Sequence, residues 1–150
     1  MFFAKVGFMT SEQTATKTET ILFVAYGTLR KGEALHEGWI GSEIVNDLGP
    51  VFIKGAKLHY ATSHRSFPVL RWTGDISDKA VGELYELKLS EQTIEMLTME
   101  SRAGYSIVEA SVETPEGELA QATVCIWPHP YGDEVPNNDW CSVERREWWR

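Results

Sequence analysis

The sequence predicts an α+β fold in which strands outnumber helices and the sheet is mainly antiparallel or mixed. Three observations carry this. Val81-Gly82-Glu83-Leu84-Tyr85-Glu86-Leu87 alternates apolar with polar residues, the period of a half-buried strand. Residues Tyr105 to Glu113 and Leu119 to Trp127 are strand-like runs joined by Thr114-Pro115-Glu116-Gly117, turn chemistry that makes them a hairpin. Between these segments, Ser90 is placed to N-cap a helix, with Glu91 in its favourable first turn.

The chain has 150 residues, 43% hydrophobic and 24% charged, which suits one domain with a core large enough to need no staple. The net charge of −8, with Lys and Arg scattered, excludes nucleic acid and anionic membrane as main partners. Cys125 and Cys141 form neither a disulfide framework nor a metal-site spacing, so reduced thiols in the cytoplasm are expected. The opening MFFAKVGFM is too short for a signal h-region, and no run is long enough to span a bilayer. His36, His59, His64 and His129 lack the paired spacing of a metal site, and no metal or cofactor is expected. No Gly-x-Ser-x-Gly elbow supports a serine triad.

Taken in order, residues 1–20 read as a flexible N-terminal leader and 21–150 as a single domain. Met1 to Met9 either packs back as an added strand or stays disordered. Ile21 to Ala25 is a buried strand that stops at Gly27, a residue able to take backbone angles closed to others. Glu33 to Ile40 reads as a short helix offering Ala34, Leu35 and Trp39 to the core, with Gly41 as its stop. Ile44 to Asn46 and Val51 to Ala61 are strand material broken at Gly49-Pro50, with a bulge at Gly55. Ser66-Phe67-Pro68-Val69-Leu70 is an edge or a loop pressed on the core, because Pro68 cannot donate to a central ladder. In the helix after Ser90, Ile94, Leu97 and Thr98 share one face, and the helix ends near Glu100. The stretch Glu144 to Arg150 is a short helix, a packing flap or an interface.

Two features could carry chemistry. The strand–glycine–turn at Tyr26 to Leu29 can point successive backbone N–H groups into one concavity, where a carboxylate or phosphate can sit; an ordinary turn after a core strand is the alternative. Glu100, at the junction of helix and loop, is either a solvated surface carboxylate or a cavity-facing proton shuttle whose pKa burial raises. Tyr105 is either a core aromatic or a hydroxyl beside Glu100, and Tyr26 has the same two readings. Arg30 reads as an exposed helix-start arginine or as a partner for a substrate carboxylate.

Tyr26-Gly27-Thr28-Leu29-Arg30-Lys31-Gly32 resembles the YGTLRxG signature of the gamma-glutamylcyclotransferase-like superfamily, and His36 stands where that signature continues, with Leu35 in place of the usual Asn. Leu58, Tyr60 and Phe67-Pro68 are similar to its "LY…(F/Y)P" segment, Gly82-Glu83-Leu84-Tyr85 to its "GELY" strand, and Asn138-Asp139-Trp140 to its "GDW". The catalytic "L-D-x-x-E-G" corresponds to Met96-Leu97-Thr98-Met99-Glu100-Ser101, with Leu97 for the Asp and Ser101 for the Gly. The resemblance implies a small closed or semi-closed β-barrel with a few flanking helices. It implies Glu100 as the catalytic residue, with Tyr26, Gly27, Thr28, Leu29 and Tyr105 binding substrate. The implied activity is cofactor-independent release of 5-oxoproline from a small-molecule gamma-glutamyl amide. Glu95 is a fallback whose spacing from Tyr105 is wrong by more than a helical turn. The alternatives are a non-catalytic small-molecule-binding protein on the same fold, or an interaction module using the Trp-rich tail.

Overall fold

The computed structural model describes residues 19–61 and 67–142. The leader (residues 1–18 of it), His64, Ser66 and the stretch Glu144 to Arg150 lie outside the described residues. Five strands close into a barrel. β1 (Thr20–Ala25) pairs antiparallel with β5 (Lys79–Lys88), and β5 pairs with β2 (Ile44–Lys54). β2 meets β6 (Ser106–Glu113) at Phe52 and Glu113, and β6 forms a hairpin with β7 (Leu119–Ile126). β7 then returns to β1 in parallel, at Phe23 and Thr123, so the ring is mixed and has no free edge. A separate antiparallel pair, β3 (Ala56–Tyr60) and β4 (Pro68–Trp72), packs beside it. Ile53, Leu58, Leu70, Tyr85, Leu87 and Trp140 are among the fully buried side chains of the common core.

Closure needs tight turns of the backbone, and glycines supply them. At Gly82 a Cβ would lie 2.6 Å from Val24 Cγ1, so β5 crosses β1 at a distance only glycine permits. Gly49-Pro50 does not break the second strand as the sequence suggested. β2 runs through it, with register shifts on either side of Asn46 and Asp47 and Gly49 at φ +87°. A bulge absorbs the irregularity and bends the strand around the barrel. The break falls instead at Gly55, φ +74°, where the chain leaves the barrel for β3. Pro68 opens β4, the strand position where a missing N–H costs least.

The helix after the first turn is shorter than expected. α1 spans only His36–Trp39, and Ala34 and Leu35 are exposed, not core. α2 (Glu91–Ala103) begins as read, with Ser90 Oγ accepting from Thr93 N–H at 3.2 Å. It runs one turn past Glu100. Its buried residues are Thr93 and Met96, whereas Ile94 and Thr98 are exposed and Leu97 is half-buried. The inward face is therefore 93, 96 and 100, at i, i+3 and i+7, which carries Glu100 toward the barrel. Among the described residues, no helix is long and apolar enough to cross a membrane.

Candidate active site

Tyr26, Gly27, Thr28, Leu29, Glu100 and Tyr105 line one cavity of about 390 Å³ at the end of β1. Its floor is Phe23, Val24, Ala25 and Cys125, and Ala34, Leu35, Phe67, Pro68 and Ala103 complete the wall. Glu95 is exposed on the other side of α2 and takes no part.

The turn is held from below. Arg30 N–H donates to Gly27 carbonyl at 3.0 Å and Leu35 N–H to Thr28 carbonyl at 3.0 Å. No backbone carbonyl among the described residues takes the N–H groups of Gly27, Thr28 or Leu29. Gly27 is required for a different reason from the one its sequence context suggested. Its φ is not in the left-handed region; instead a Cβ would lie 2.5 Å from Pro68 Cγ and 2.8 Å from Cδ. The turn and the Phe67-Pro68 segment thus meet at a contact without room for a methyl group. Gly27→Ala is expected to cost about 1–3 kcal/mol, read as a fall in Tm, and to weaken ligand binding at the turn. An unchanged Tm with unchanged affinity would remove that contact from the account.

Arg30 is neither exposed nor aimed at the cavity. It is buried, and its Nε donates to Glu83 Oε2 at 3.0 Å while Nη1 donates to Asp139 Oδ1 at 2.7 Å. Glu83 Oε1 also accepts from Lys31 N–H at 2.9 Å and from the Tyr85 hydroxyl at 2.7 Å. Burial alone would raise the Glu83 carboxyl, but the hydrogen bonds from Lys31, Tyr85 and Arg30 outweigh it and hold the group below 4.5. His36, also buried, places Nδ1 2.8 Å from the Leu29 carbonyl, and Trp140 Nε1 donates to Glu33 at 3.1 Å. These contacts fasten both ends of the turn, so three of the quoted motifs join in one network.

Glu100 is half-buried in the last turn of α2, and burial alone raises its carboxyl above the ordinary 4.5. The helix stops in a Schellman arrangement, with Gly104 at φ +119°, its N–H on Ser101 carbonyl and Tyr105 N–H on Glu100 carbonyl, both at 3.1 Å. That cap fixes Tyr105 relative to Glu100. The Tyr105 hydroxyl donates to Pro68 carbonyl at 3.1 Å, and its ring meets Trp127 edge-on at 5.0 Å. Tyr105 is thus both a packed aromatic and a cavity wall. Tyr26 also fills both roles, its ring buried and its hydroxyl donating to Cys125 carbonyl at 2.6 Å. Burial, then the charge of Glu100, pushes the Tyr105 hydroxyl and the Cys125 thiol up, and Tyr26 follows, so all three stay neutral. Glu100 is then the one charge among the described residues lining the cavity. Cys125 gave no local signal in the sequence, since only the pairing of β7 with β1 brings it to the cavity.

A five-stranded mixed barrel, with one carboxylate and a strand-end turn among the described residues lining the same cavity, defines the class of fold and site. The sequence model described as "Gamma-glutamyl cyclotransferase, AIG2-like" matches residues 22–142, and the chain belongs to that family. A search of curated proteins found no match. Among solved structures, protein PH0828 from Pyrococcus horikoshii is 26% identical with a TM-score of 0.61, over 85% of this chain and 95% of that one. An AIG2-like protein from Mus musculus is 22% identical, TM-score 0.61, over 78% of this chain and 88% of its own. YkqA from Bacillus subtilis is 23% identical, TM-score 0.66, over 86% of this chain, which spans 42% of it.

Proposed function

We propose that the protein is a gamma-glutamylcyclotransferase-type enzyme of the cytoplasm, acting on a small gamma-glutamyl amide without a cofactor. The observation that carries this reading is Glu100, raised by burial and sharing one cavity with the turn at residues 27–29, whose N–H groups no backbone carbonyl takes among the described residues. The turn anchors the substrate's alpha-carboxylate, which folds the glutamyl chain so that its alpha-nitrogen reaches its own gamma-carbonyl. An alpha-ammonium is no nucleophile, so Glu100 takes one proton from it. The freed amine attacks the gamma-carbon, the carbonyl electron pair moves to oxygen, and a five-membered ring closes. As the oxyanion's pair returns and the C–N bond to the departing amine breaks, Glu100 returns that proton to the departing nitrogen and then carries across the second proton of the ring nitrogen, so the amine leaves as its ammonium ion and the ring is a neutral lactam. Atoms balance with no water consumed, and the products are 5-oxoproline and a free amine.

The test is a screen of gamma-glutamyl amides for 5-oxoproline by mass spectrometry. Glu100 must be ionised to accept the proton, so kcat/KM is expected to fall as pH drops through a midpoint above 4.5, in the direction that burial moves this carboxyl. Ligand binding with no release from any amide would favour a non-catalytic binding role on the same fold. An acid limb at or below 4.5 would take the proton transfer away from Glu100.

A further inference from the structure

The cavity runs from buried to open. Phe23, Val24, Ala25, Tyr26 and Cys125 are buried, Glu100 and Tyr105 half-buried, and Ala34, Leu35 and Ala103 exposed. At about 390 Å³ it lies within the ~300–1,000 Å³ of sites that enclose a drug-sized ligand. A glutamyl group alone is smaller than that, so space remains beyond it. Ala103 sits three residues after Glu100 and therefore on the same face of α2, next to the group that hands the proton to the departing nitrogen. Ala34, Leu35 and Phe67 stand with it, and all four are apolar. Among the described lining residues there is no Lys, Arg or His to receive an anion.

A departing amino acid would bring its own carboxylate into this wall, near Glu100 and without a cationic partner among the described residues, at the cost of desolvating it. An alkyl or aryl substituent would bury against Leu35 and Phe67 instead. We propose that the substrate's departing amine bears an uncharged apolar substituent, alkyl or aryl, received by the rim of Ala34, Leu35, Phe67 and Ala103. This rests on the cyclotransferase reading and assigns the leaving-group half of the same site.

The experiment is a series of gamma-glutamyl n-alkylamides from methyl to hexyl, with the anilide, compared with gamma-glutamylglycine and glutathione. Each amide is measured for 5-oxoproline release and, with the Glu100→Gln protein, for Kd by calorimetry. Each added methylene should raise kcat/KM, up to about fourfold while the rim still has apolar surface to cover. Gamma-glutamylglycine should fall at least about tenfold below the butylamide. Leu35 is 41% exposed, so Leu35→Lys should fold; it should flatten the alkyl slope and improve gamma-glutamylglycine relative to the butylamide. A flat series, or a preference for the carboxylate-bearing amines, overturns the apolar assignment while leaving the cyclotransferase reading intact. If no amide is turned over, that reading fails, and the Kd series decides the rim separately. Tightening with chain length supports it, and no tightening overturns it.

Discussion

Glu100→Gln is expected to lower kcat for 5-oxoproline release by about 10²–10⁴-fold, with ligand affinity held within about fivefold. Glutamine keeps the size of the side chain and can still hydrogen-bond, but it cannot accept the ammonium proton. The loss therefore falls on the chemical step. Stability should move the other way. Burial raises the Glu100 carboxyl, so what that group contributes to folding is present below its unfolded pKa and is lost as pH rises through the folded one. At neutral pH the ionised form is a cost, and Glu100→Gln should melt no lower than wild type, which separates lost chemistry from lost structure. Glu95→Gln, on the exposed face of α2, should leave both readings unchanged. An active wild type whose Glu100→Gln variant turns over normally would sink the assignment, and loss in Glu95→Gln would name a different carboxylate. Leu97 is half-buried where the catalytic motif it resembles has Asp, so Glu100 lacks a carboxylate neighbour there and wild-type turnover is expected to be slow.

Arg30→Met is expected to destabilise the protein by about 3 kcal/mol, because it removes the guanidinium that donates to both Glu83 and Asp139. Glu83 and Asp139 keep some exposure, which places the effect at the low end for a broken buried pair. The hydrogen bonds that Glu83 accepts hold its carboxyl below 4.5, so the pair's contribution is present above the unfolded pKa and lost as pH falls through the folded one. The gap in unfolding free energy between wild type and Arg30→Met should narrow in that direction. Denaturant unfolding across pH measures it, and Arg30→Met/Glu83→Gln completes the cycle with a loss smaller than the sum of the singles. A gap that widens on acidification, or a strictly additive double variant, would show that the pair contributes nothing. Because Glu83 also takes Lys31 N–H, ligand binding should weaken in the single variant as the turn loosens.

Much of this was legible along the chain, and what was missed has a physical pattern. The β5 alternation, the β6–β7 hairpin and the Ser90 cap are local signals, set by residues within a few positions of one another. The helix face was offset: Thr93 and Met96 point inward and Leu97 packs partly buried against the core, whereas Ile94 is exposed, so the periodicity was right and its phase was not. The phase is set by barrel packing, and it is what turns Glu100 toward the cavity. Arg30 could not be read locally either, since its partners lie 53 and 109 residues away. Gly27 looked like a conformational need but answers to Pro68, forty-one positions on, whose ring fills the space a side chain would take. The resemblance pointed to the turn and the glutamate, which line one cavity, and distant contacts hold the turn in place.

The parallel seam between β1 and β7 has a kinetic consequence. Phe23 pairs with Thr123, and the Tyr26 hydroxyl reaches a carbonyl 99 residues along the chain. Contacts so far apart in sequence must wait for most of the chain's conformational entropy to be surrendered, which places such topologies among slower folders. The β6–β7 hairpin can form early from neighbours, but the cavity floor joins β1 to Cys125 only when the ring shuts. Ligand affinity is therefore expected only once the ring has shut.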